Sequence, residues 1–193
     1  MTSPESGSQN KNISYAKLDF DGEVLEDCVF YDCSFSRCNF QFAEIRNCDF
    51  KKCKFINCNL SLAKFDNTKI INVDFIESKL LGINWNTAGV VIIAVFKGCI
   101  LESNSFSDMN LTKVKFEKCS LKESVFSNSK LQKVKFSECD LGQCQFHQSD
   151  LSYADFSTSR NYFMSADSNK LHQAVFSLPE AVSLLANLDI KLK

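Results

Sequence analysis

The chain has 193 residues, 45% of them hydrophobic, and 22 basic side chains set against 23 acidic ones. That length describes one domain with enough apolar content for a core, and near-neutral charge excludes bulk attraction to nucleic acid or an anionic membrane. Six glycines and two prolines exclude long linkers, which leaves eighteen phenylalanines against one tryptophan to be explained by the fold.

Residues 1–12 are Ser, Gln, Asn, Lys and Glu with little to bury, so a disordered tail is expected there. The opening Met1-Thr2-Ser3-Pro4 has neither the basic n-region nor the apolar h-region of a signal peptide. The longest apolar run, Ala88 to Phe96, is far shorter than the ~20 residues that span a bilayer. A cytoplasmic setting, with all ten cysteines reduced, is the corresponding expectation.

Repeats begin at Ile13. In Cys28-Val29-Phe30-Tyr31-Asp32-Cys33-Ser34-Phe35 a small residue, a spacer and a large apolar residue return every five positions. Neither a helix nor an alternating strand has that period, so it calls for a repeat architecture. Aligned at twenty residues, one file of centres reads Phe35, Phe55, Phe75, Phe96, Phe116, Phe136, Phe156 and Phe176. A second runs from Phe20 and Phe40 through Leu60 to Leu141, and a third from Leu25 and Ile45 through Trp85 to Phe146. The fourth runs Phe30, Phe50, Ile70, Val91, Leu111, Leu131, Leu151. Four five-residue sides make one square turn, and like side chains then stack on like at about 4.7–4.9 Å.

Every cysteine falls two residues before a centre, where Ala, Ser and Val also occur, so the thiols read as small inward packing groups. Glu23 occupies this position near an open end, where it reaches water. Between Trp85 and Phe96 the spacing is eleven rather than ten, and a single-residue bulge near Gly89 is expected. Past Phe156 the pattern loosens, with Asn161 and Ala166 standing at centres. Pro179 then opens a segment in which Ala181, Leu184, Leu185 and Leu188 share one helical face, predicting a short C-terminal α-helix. Asp189 to Lys193 alternates like a final short strand.

The runs Ala154-Asp155-Phe156-Ser157-Thr158, Cys139-Asp140-Leu141-Gly142-Gln143 and Cys58-Asn59-Leu60-Ser61-Leu62 resemble the pentapeptide-repeat motif of small residue, Asn or Asp, Leu or Phe, and two variable positions. The resemblance covers roughly residues 13–178. It implies an all-β solenoid, a right-handed quadrilateral parallel β-helix of about eight coils, followed by a capping and dimerisation segment at 179–193. Quinolone-resistance-type members of that family bind DNA gyrase as duplex mimics, so the resemblance implies DNA gyrase or topoisomerase IV as one protein partner. It also implies a homodimer paired through the C-terminal helix, with Ala181, Leu184, Leu185 and Leu188 at the interface.

No catalytic, cofactor-binding or metal set is read from the sequence. The cysteines lack the tight pairing of a zinc site, and His147 and His172 each follow a centre by one and face outward. No phosphate loop or nucleophile elbow is present. A non-enzymatic protein-binding module is the leading expectation, with gyrase mimicry as the alternative. The side running from Leu25 to Phe146 is mildly acidic and the side running from Phe30 to Leu151 mildly basic, and neither is the dense anionic stripe of a duplex. Leu62, Ile71, Ile76, Leu81, Ile92 and Ile93 fall in outward or bulge positions and form the candidate partner patch.

Overall fold

A computed structural model describes the backbone of residues 3–188 and the side chains up to residue 185. The chain winds into a parallel β-solenoid of about seven turns. The spacing suggested about eight; residues 161–167 make no ladder pairing, and Lys170 and Val175 rejoin it opposite Asp150 and Asp155.

Each side of a turn is a strand of about three residues whose middle side chain is buried and whose flanks face outward. Val29–Tyr31 and Ser34–Ser36 are two such strands. Strands pair in parallel with the strand one turn away, placing Phe30 on Phe50 and Phe35 on Phe55. The rings of Tyr15, Phe35, Phe55, Phe75, Phe96, Phe116, Phe136, Phe156 and Phe176 stack with nearly parallel planes, with centroids 4.8–5.4 Å apart. The opposite file, Phe65, Trp85, Phe106, Phe126 and Phe146, stacks likewise and meets the first edge to face, as Phe116 and Phe126 do at 89°. Both geometries suit the ring quadrupole.

Where the small position before a centre is Cys, Ser or Thr, its side chain is commonly a donor aimed at a carbonyl of the preceding turn. Cys53 Sγ donates to Phe30 O at 3.4 Å, Ser78 Oγ to Phe55 O at 3.3 Å and Ser129 Oγ to Phe106 O at 2.7 Å. Glu23 is exposed at its open end, which spares the carboxylate a desolvation cost.

Corners are made by left-handed residues two places after a centre, from Asn12 to Gln173, at φ of about 48–63°. That conformation turns the corner residue's N–H toward the next turn, as in Asp32 N to Lys51 O at 2.9 Å. Ten of the twenty-five non-glycine left-handed residues are Asn or Asp, the types that tolerate this region best.

Four expectations are corrected. Gln9–Lys11 is a strand paired with Val29–Tyr31, and Asn10 is buried with its amide held by Ser8 and Tyr15. The solenoid therefore begins inside the segment expected to be a tail.

The mid-chain irregularity is a compound one. Trp85–Ala88 is a 3-10 turn, and Asn67 still donates to Thr87 O in register. After Gly89 (φ 122°), Val90 and Val91 are exposed and Ile92 is fully buried, so Ile92 rather than Val91 fills the fourth file. Ile71 then pairs with Ile93 but Val73 with Ala94, and the left-handed corner at Asn72 has no counterpart one turn on. Two residues are inserted at the bulge and one is dropped at the next corner, for the net of one that the spacing reveals.

In the loosened last turn, Tyr162 and Met164 are the buried residues, whereas Asn161 and Ala166 are exposed. Finally, Glu180–Leu188 is a 3-10 helix, not an α-helix. Val182 N bonds Pro179 O, three residues back, and Ser183 Oγ is fixed between Glu180 O and Tyr162 O, which ties the tighter winding to the last turn. Leu184 packs on the core from this segment. The side chain of Leu188 and the alternating stretch 189–193 lie outside the described residues.

Candidate interaction surface

The interior is filled by the four files, and all ten thiols are free and buried within it. Burial pushes Cys53 up to about 11 and Cys144 up to about 12, so both are neutral thiols at physiological pH. Among the described residues no group of three or more His, Cys, Asp or Glu could hold a metal ion. His147 and His172 are exposed on the wall, the latter edge-on to Tyr153 at 5.3 Å. No described helix is long and apolar enough to cross a membrane.

What varies from turn to turn is the outer wall. Its ion pairs mostly link neighbouring turns: Lys64 with Glu44 at 2.9 Å, Lys69 with Asp49 at 3.0 Å, Lys97 with Glu117 at 3.1 Å. On the acidic side Glu44 also pairs with Arg46, and the Lys64 hydrogen bond followed by the Arg46 charge holds its carboxyl below the usual range. This wall neutralises part of its own negative charge.

The apolar positions fall on separate walls. Leu62 is 44% exposed at a corner, beside the equally placed Phe42 at 50%. Its side chain lies over Gly82, where an added Cβ would come within 2.7 Å of Leu62 Cδ2. Leu81 is half-buried beside it. Ile71 and Ile93 pair on another wall and Ile76 lies half-buried on the wall between. Ile92 is buried and is removed from the patch, because the two-residue insertion turns it inward. Phe42 was missed, although it stands two places after a centre as Leu62 does. At the C-terminal end Ala181, Leu184 and Leu185 are half-buried, while Phe163, Val175, Leu178 and Val182 are exposed.

A filled parallel solenoid with five-residue sides, an outward-only display of variable residues and small groups before each centre defines a class of repeat protein. Family models agree: pentapeptide repeats match residues 16–51 and 43–80, and a pentapeptide repeat region matches residues 93–160. The chain belongs to the pentapeptide-repeat family. Among solved structures it resembles trypsin-treated QnrB1, a plasmid-mediated fluoroquinolone resistance protein, at 16% identity and a TM-score of 0.64. That match covers 96% of this chain and 100% of the other. It also resembles HetL, a pentapeptide repeat protein involved in heterocyst differentiation regulation from the cyanobacterium Nostoc sp. strain PCC 7120, at 16% identity and a TM-score of 0.58. Here 90% of this chain and 88% of the other are covered. No curated protein matches the sequence. At these identities the likeness establishes the fold.

Proposed function

We propose that the chain is a non-enzymatic, cytoplasmic protein-interaction module: a right-handed quadrilateral rod that presents its walls to a protein partner. The observation that carries this reading is the filled interior. Aromatic and aliphatic centres fill each turn, with small residues beside them, so specificity resides in outward residues that the fold leaves free to vary. Residues 179–193 act as a cap and pair two subunits through Ala181, Leu184, Leu185 and Leu188, supported by the exposed Leu178 and Val182 at that end. Affinity capture from the native cell, with cross-linking, tests the module. A stoichiometric protein partner is expected, and turnover or stoichiometric zinc in the purified protein overturns the reading. Light scattering of a Leu184→Asp, Leu185→Asp variant tests pairing, and a monomeric wild type ends it.

The likeness to QnrB1 supports a second reading, in which the rod binds DNA gyrase or topoisomerase IV as a duplex mimic. The self-neutralised acidic wall weighs against it. Unchanged gyrase supercoiling, with or without a quinolone, removes it.

A further inference from the structure

The dropped corner leaves a notch in one edge of the rod. Ile93 and Val95 are half-buried on its floor, with Ala94 buried beneath them. Lys52 and Lys54 rim it on one side and Lys113 and Lys115 on the other, and Asp32 and Asp74 also line it. A second groove continues from Lys113 and Lys115 to Lys133 and Lys135, with Glu117 at its border.

Lysines stack on lysines along this edge. Lys54 and Lys135 pair in register with Asp74 and Asp155, but Lys113 stands twenty residues from Lys133, and Lys115 twenty from Lys135. Among the described residues none of Lys54, Lys113, Lys115, Lys133 and Lys135 forms a salt bridge. Like charges placed side by side repel, and an anionic partner relieves that repulsion. An apolar floor between cationic rims suits a chain carrying both acidic and apolar side chains better than it suits a bare phosphate backbone.

The geometry points to this notch and its lysine edge as the docking site for an acidic segment of a partner protein, with carboxylates on the lysines and an aliphatic side chain on Ile93 and Val95. This inference rests on the reading of the chain as an interaction module. Fluorescence anisotropy tests it with a short labelled peptide in which Leu and Ile are spaced among Glu and Asp. Controls are its Gln and Asn counterpart and a DNA duplex of similar length. The acidic peptide is expected to bind, to weaken as salt rises, and to lose about tenfold in affinity in Lys113→Glu, Lys115→Glu. The Arg37→Glu, Lys79→Glu variant, with the same charge change elsewhere, is expected to bind like wild type. No binding by wild type, equal loss in both variants, or preference for the duplex overturns the site. A native partner captured equally by wild type and by Lys113→Glu, Lys115→Glu also overturns it, while leaving the module reading intact.

Discussion

Asn104 shows how one residue can hold an irregular turn. It occupies the small inward position, yet its Oδ1 accepts from Ile83 N at 3.0 Å and Trp85 Nε1 at 3.1 Å. Its Nδ2 donates to Leu80 O at 2.7 Å and Glu102 O at 3.3 Å. All of this is buried, so truncation strands the Trp85 and Ile83 donors. Asn104→Ala should cost about 3 kcal/mol in chemical denaturation, at about 1–3 kcal/mol per orphaned group. A loss under about 1 kcal/mol would mean that these bonds carry little. The phenylalanine files were legible because large apolar residues repeat at a fixed interval. Asn104 was not, since its partners lie a turn away and its type reads as an ordinary exception to Ala, Cys and Ser.

Among elements, the sides of the turns were legible and the corners were not. A five-residue period locates the buried centres of the regular turns, but the left-handed residue two places later is Asn or Asp in only some turns and Lys, Glu, Gln or Leu in others, too mixed a set to mark a corner. Gln143 sits there at φ 60° and is exposed. Gln143→Gly removes a side chain from that region at some cost in unfolded-chain entropy. It should raise stability by up to about 1 kcal/mol, whereas Gln143→Val should lower it. Thermal melts of the two variants check this, and a Gly variant less stable than the Val variant would refute the corner geometry. The bulge shows a different limit. Spacing reports only the net of one residue, so two inserted near Gly89 and one dropped after Ile93 look identical to a single insertion. The C-terminal segment was misread for a related reason. Ala181 and Leu184, three apart, suit a 3-10 helix as well as an α-helix, and the bond from Ser183 Oγ to Tyr162 O that accompanies the tighter form has no signal in the local sequence.

At the scale of the whole molecule, stability is the sum of turn-on-turn contacts along one rod, and the buried thiols couple that sum to pH. Thiols in the unfolded chain ionise near about 8.5, whereas burial holds Cys53 at about 11 and Cys144 at about 12. Above the unfolded value the unfolded chain has lost protons that the folded chain keeps. Stability is therefore full below about pH 8.5 and falls as pH rises toward those folded values. Melting temperatures followed from pH 7 to 10.5 should be level at first and then decline, with a shallower decline in Cys53→Ala, Cys144→Ala. A rise with pH would contradict the buried, neutral state of Cys53 and Cys144.

Every assignment of wall, edge and notch depends on equivalent residues lying one above another along the rod, across the irregular turn as well as beside it. Spin labels placed at Ser36 and Ser137, which stand on one wall five turns apart, measure this directly by pulsed electron resonance. The backbone separation should be about 24 Å, five spacings of about 4.8 Å, and labels at Ser36 and Ile56 should fall at one spacing. Separations that fail to grow in step with the number of turns would contradict the stacking, and with it the surface built upon it.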